Sequence, residues 1–250
     1  FYLALPLIGL GARAVVRPEA LNALSTHAVL SALTLSLSTS VLSMGVILLT
    51  GAPLAYILAR YRFPGRQLLI TLVELPIVMP PVVAGLGLLL AFGRRGLLGG
   101  ALGLLGVSIP FSTLAVIMAQ VFVAAPFFVR TAQARFEAIP RDLEEAASID
   151  GANTAQYFRM VVLPLSRNGL AAGLALSWAR ALSEFGATIL FAGSLQGRTQ
   201  TMPLLVYSAL ESNLASALWS ALILVGLAGL ALGVVRWLTL RADGDDALAH

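Results

Sequence analysis

Residues 28–59 and 114–129 carry no charged side chain, and three further apolar stretches, at about 68–92, 169–191 and 204–240, carry only one or two each. A polypeptide that repeats apolar, nearly uncharged runs of this length has one stable solvent for them, the hydrocarbon core of a bilayer, whose ~30 Å takes roughly 20 helical residues to cross. In lipid each backbone N–H and C=O must be satisfied within the segment, so the spans are helical. The first eleven residues are too short to cross alone and read as the end of a first span. The expected fold is therefore all-α and polytopic, with about six transmembrane helices over residues 1–240 and a polar tail at 241–250.

Local residues refine that outline. Pro53 invites a kink in the 28–59 span, and Pro76, Pro80 and Pro81 should break or bend the 68–92 span. The Gly-rich residues 92–110 contain an apolar run too short to cross, which suggests a re-entrant or interfacial turn. Arg17, Pro18 and Glu19 place a polar loop at 13–26, and the pairs Gly169/Gly173 and Gly229/Gly233 have the spacing that lets helices approach closely.

Composition excludes several chemistries. There is no cysteine and only His27 and His250 could offer imidazole, so neither a disulfide framework nor a metal site is expected. All 16 basic residues are arginine; without lysine the chain can form neither a phosphate-binding Walker loop nor a Schiff base. No catalytic residue is assigned, and any energy must be harvested by a partner. The net charge of +4 does not point to nucleic acid, because the arginines stand at the ends of apolar segments as interfacial anchors.

Against this background residues 130–168 form a polar loop, with a polar island from Asp142 to Pro164. Asp142 and Glu145 have capping-box spacing after Pro140 and predict a short helix from Asp142 that also holds Glu144. Ala146 and Ala147 leave a low, smooth face; Gly151 supplies a left-handed stop, and Leu163-Pro164 should end a second helical stretch before the chain re-enters the membrane. Glu145-Ala146-Ala147, Gly151, Val161, Leu163 and Pro164 together resemble the cytoplasmic coupling loop of binding-protein-dependent ABC importer permeases. Residues 73–95 and 178–207 are similar to the molybdate/tungstate branch, with sulfate permeases next.

The resemblance implies a homodimer of this chain in the prokaryotic inner membrane. Two cytoplasmic ABC ATPase subunits, which hold the ATP and Mg, would grip Asp142, Glu144, Glu145, Ala146, Ala147, Gly151, Leu163 and Pro164. An extracytoplasmic binding protein would deliver the oxyanion. If residues 130–168 are cytoplasmic, that side also holds Arg60, Arg62, Arg66, Arg236 and Arg241, in agreement with the positive-inside rule and with both termini inside.

Three sets of residues invite a role beyond packing. Arg180 and Glu184, four apart and deep in a span, either line the anion route or neutralise each other and lock packing. Glu74 would repel an anionic cargo and is expected to be structural. Arg94, Arg95 and Arg198, on the outer side, are candidate contacts for the binding protein. A secondary transporter would need midplane carboxylates and an internal repeat, which is not evident; a membrane enzyme would need a cluster of His, Asp, Glu or Ser that the chain lacks.

Overall fold

The computed structural model describes residues 2, 4–15 and 26–247, and among them every regular element is helical. The polar loop at Arg17, Pro18 and Glu19 lies outside the described residues, as does His250. In chain order the helices are α1 (Leu5–Val15), α2 (Thr26–Arg60), α3 (Arg66–Val78), α4 (Pro81–Phe92), α5 (Gly99–Leu104), α6 (Thr113–Glu137), α7 (Asp142–Ile149) and α8 (Thr154–Tyr157). A π-turn (Phe158–Val162) leads into α9 (Leu163–Leu182), followed by α10 (Gly186–Phe191), α11 (Met202–Ser212) and α12 (Leu214–Ala247).

Three uninterrupted helical segments among the described residues, Thr26–Arg60, Thr113–Glu137 and Thr154–Leu182, are long and apolar enough to cross a membrane. Helices α3 and α4 are long and apolar enough only when taken together, and they are bent by 119° at their junction, as in a broken span or a re-entrant loop. The cause is local: Pro80 and Pro81 offer no N–H, and α3 closes with the Met79 N–H on the Leu75 carbonyl at 3.1 Å. Pro53, by contrast, sits within an unbroken α2. The apolar stretch Leu214–Leu230 of α12 is a shorter apolar helix.

Lipid is as apolar as a leucine core, so apolar burial alone gives helices no reason to choose each other over the bilayer. Hydrogen bonds and small residues make the choice here. The Ser43 hydroxyl donates to Gln120 Oε1 at 2.9 Å, joining α2 to α6, and Ser177 donates to the Ala124 carbonyl at 2.8 Å, joining α9 to α6. Trp178 Nε1 donates to Ser40 at 2.9 Å and the Met202 N–H to Ser36 at 2.8 Å. Gly51 lets Phe128 in, and Gly169 and Gly173 lie against Arg135 and Thr131 of α6. The second glycine pair behaves otherwise: among the described residues nothing lies within 4 Å of a Cβ built on Gly229 or Gly233.

Two expected boundaries move. The span expected at 169–191 begins at Leu163, ends at Leu182 and is broken before α10, while the expected tail at 241–250 continues α12 as helix to Ala247. The molecule has two distinct ends. At one, the end of α2, the start of α3 and the end of α6 enclose a cavity of about 430 Å³ lined by Arg60, Arg62, Arg66 and Arg141. At the other, Arg94 and Arg198 share a cavity of about 420 Å³.

Candidate functional site

The segment 142–164 lies at the arginine-rich end and is built from three backbone devices. Helix α7 starts one residue earlier than a capping box at Asp142 would place it. The Arg141 carbonyl accepts from the N–H groups of Glu144 and Glu145 at 2.8 and 3.1 Å, so Asp142 is already helical. Asp142, Glu144 and Glu145 then occupy the first turn, where the helix dipole favours negative charge.

The far end of α7 closes on Gly151 at φ +83°, with the Ala152 N–H reaching the Ala147 carbonyl at 2.9 Å, the six-to-one bond of a Schellman turn. A capping box does occur, eleven residues on: the Gln156 N–H donates to Asn153 Oδ1 at 2.9 Å, and the Asn153 N–H donates to Gln156 Oε1 at 2.8 Å. Asn153→Ala should cost this end of the loop about 1 kcal/mol. Amide hydrogen exchange at residues 154–157 should accelerate about fivefold, and unchanged exchange would show that the cap does not hold α8.

Pro164 does not end a helix. It stands in the first turn of α9, and its ring would crowd the carbonyl four residues back. The backbone widens into the π-turn just upstream, where the Leu163 N–H reaches past that position to the Phe158 carbonyl. The polar loop and the span are therefore one continuous rod, Thr154–Leu182.

The two alanines divide their work. Ala147 packs on the core beneath α7, where Tyr56 meets Phe158 and Phe136 edge-on at centroid distances of 5.0 and 5.6 Å. Ala146 is exposed, as is Ile149 at 86%, and Met160 is 73% exposed. The segment thus rests on a rigid aromatic base and presents an open, partly apolar face. Leu163 is 41% exposed and continues it.

Two acid–arginine systems lie deeper. Glu184 falls in the break after α9; its side chain is 1% exposed, pairs with Arg180 Nη1 at 2.9 Å and accepts the Ala187 N–H at 2.8 Å. It thus caps α10 as well as neutralising Arg180, whose side chain is 25% exposed. The second system was not legible in the sequence, because its members lie on different helices. Glu74 of α3 pairs with Arg130 Nε of α6 at 2.8 Å, Arg130 Nη1 donates to Gln133 Oε1 at 2.8 Å, and Gln133 Nε2 donates to Glu137 Oε1 at 2.9 Å. Arg66 Nη2 reaches the same Glu137 oxygen at 3.0 Å, and Arg66 Nε donates to the Leu58 carbonyl at 2.8 Å.

At the other end Arg94 Nε lies 3.4 Å from the Ser108 hydroxyl, and the carbonyl of Arg198 accepts from Thr113 at 3.0 Å. Their shared cavity includes Phe111, a non-glycine residue at φ +60°. Arg95 is exposed and does not line that cavity. Among the described residues no group of His, Asp and Glu is placed to hold a metal.

Residues 51–241 match the family described as the binding-protein-dependent transport system inner membrane component. The molybdenum transport system permease protein ModB of Mycobacterium tuberculosis is 41% identical over 229 residues, covering 92% of this chain and 86% of ModB. The sulfate transport system permease protein CysW of Synechococcus elongatus is 37% identical over 219 residues, covering 88% of this chain and 77% of CysW. A bacterial ABC transporter that imports the acidic polysaccharide alginate has a chain of the same fold, with a TM-score of 0.79 at 18% identity over 96% of this chain and 90% of that one. The chain therefore belongs to the binding-protein-dependent inner membrane components, the permeases of ABC importers.

Proposed function

We propose that this chain is the permease subunit of an ATP-driven importer for molybdate or tungstate, working as a homodimer with two cytoplasmic ATPase subunits and an extracytoplasmic binding protein. The observation that carries the reading is the exposed face of α7 with Ala146 and Ile149, held on an aromatic base at the arginine-rich end. An exposed isoleucine beside a first turn of acids is a surface suited to a protein partner, and the rod from Thr154 to Leu182 would carry a push there into the membrane. The positive-inside rule makes that end cytoplasmic, and the cavity at Arg94 and Arg198 would then face the binding protein. Similarity to ModB over most of both chains supports molybdenum oxyanions as cargo, and similarity to CysW keeps sulfate as the second reading.

ATP and Mg belong to the partner ATPase in this scheme; the chain itself does no chemistry. The test is assembly followed by uptake. Co-expressed with an ABC ATPase from its own organism, the permease should co-purify in mild detergent and, in proteoliposomes with its binding protein, import molybdate with little inhibition by a large excess of sulfate. Failure to retain an ATPase would end the importer reading. Import of sulfate with equal efficiency would move the chain to the sulfate branch.

A further inference from the structure

The Glu74–Arg130 pair is the charged feature that neither packing nor topology accounts for. Its two side chains are 42% and 41% exposed, so the pair does not face the interior of this chain's own bundle. It is not at the helix ends either. At 1.5 Å per residue Glu74 lies about 12 Å along α3 from Arg66, and Arg130 about 10 Å along α6 from Glu137. Charges at that depth that face lipid are costly, and those found in membrane helices face protein or water.

The surrounding surface chooses water. Gln67, Thr71 and Glu74 follow one another at helical spacing and form a polar stripe along α3, with Gln67 and Thr71 exposed. The adjacent stripe, Leu68, Leu72 and Leu75, is apolar and 65%, 54% and 44% exposed, as a lipid face would be. One helix thus presents two different solvents side by side. The ladder from Arg130 through Gln133 to Glu137 and Arg66 holds the polar stripe against α6 all the way to the arginine-rich end.

We propose that the Glu74–Arg130 face lines the water-filled anion route, with Glu74 a built-in counter-ion that the passing oxyanion displaces from Arg130. The proposal rests on the permease reading. It also removes the objection that a carboxylate would repel the cargo: with Arg130 at 2.8 Å the pair is neutral at rest, and a divalent oxyanion is a stronger competitor for a guanidinium than one carboxylate. Arg130 is then a positioning residue for the anion and Glu74 its release group.

The chain contains no native cysteine, so each single-cysteine variant carries one labelling site in this subunit, read against the unaltered transporter as the blank. In the complete transporter in nanodiscs, Arg130→Cys and Glu74→Cys should react with a charged, membrane-impermeant methanethiosulfonate at least about tenfold faster than Leu72→Cys, because only hydrated positions admit the reagent. Molybdate should slow the reaction. Rates no faster than Leu72→Cys at both positions would overturn the proposal, and either variant suffices if the other does not assemble. The double variant Glu74→Gln/Arg130→Gln keeps a hydrogen-bonding pair between α3 and α6 without the charge. It should assemble normally and lose uptake by at least about tenfold, the scale of electrostatic focusing in charged clefts, whereas uptake at the wild-type rate would reduce the pair to a strut. These outcomes are separable from failure of the permease reading, which would appear as an absence of oxyanion uptake by the unaltered protein while the labelling pattern stood.

Discussion

Gly85→Ala is expected to prevent the two broken helices of this protein from closing on each other. A Cβ at Gly85 would lie 2.7 Å from the carbonyl oxygen of Ala187 and 2.8 Å from its Cα. Those are backbone atoms of α10, and Ala187 is fully buried, so there is no flexible side chain to swing aside. The reciprocal contact is as tight, since a Cβ on Gly186 would stand 2.8 Å from Pro81 Cβ at the start of α4. Inserting one methyl into a packed site commonly costs about 1–3 kcal/mol, and a backbone-on-backbone clash belongs at or above the top of that range. The expected result is a marked drop in the yield of monodisperse protein and in its thermal unfolding midpoint in detergent. Gly87 on the same helix is the control: nothing lies within 4 Å of its Cβ position, and Ala is favoured over Gly in a helix by about 1 kcal/mol. Gly87→Ala should therefore be neutral or slightly stabilising. If both variants behave alike, α4 and α10 are not in contact.

That contact also explains why some of this protein can be read from its sequence and some cannot. Long apolar runs specify membrane helices because lipid permits nothing else, and Pro80-Pro81 specifies a break because two missing N–H groups cannot be replaced within the helix. Gly151 is legible for a similar reason: only its φ of +83° closes α7 there without strain on a Cβ. Backbone constraints of this kind are local and survive in one dimension. The capping box was a weaker signal, because Asp142/Glu145 and Asn153/Gln156 both have the spacing, and the choice depends on where Arg141 places its carbonyl. Pro164 reads as a stop because the sequence does not reveal that a π-turn absorbs it. The Glu74–Arg130 and Arg66–Glu137 pairs were out of reach, since each joins residues whose proximity depends on α3 lying antiparallel to α6. Spacing along one chain predicted the Arg180–Glu184 pair but not the place of Glu184, which is beyond the end of α9 while Arg180 sits in its last turn.

That place makes Glu184→Ala the other substitution with a large expected effect. The carboxylate is 1% exposed and holds two things at once, the Arg180 guanidinium at 2.9 Å and the Ala187 N–H at 2.8 Å. Its removal strands a partly buried cation and leaves the first turn of α10 with an unpaired donor, and breaking a buried pair from one side typically costs about 3–5 kcal/mol. Glu184→Gln should fall between, because Oε1 can still accept from Ala187 while the charge balance is lost. The decisive variant is Arg180→Met/Glu184→Gln, which removes both charges and keeps the cap. Neutral replacement of a buried ion pair is often close to neutral in stability, so this variant should assemble and unfold like the wild type. If Arg180 and Glu184 are a lock at the break between α9 and α10, its oxyanion uptake should also stay near the wild-type rate. Uptake lost from an intact, stable double variant would instead return Arg180, a quarter of whose side chain is exposed, to the anion route. The route would then carry a second cation beyond Arg130, and an anion would pass from one arginine to the next, each released by its own carboxylate.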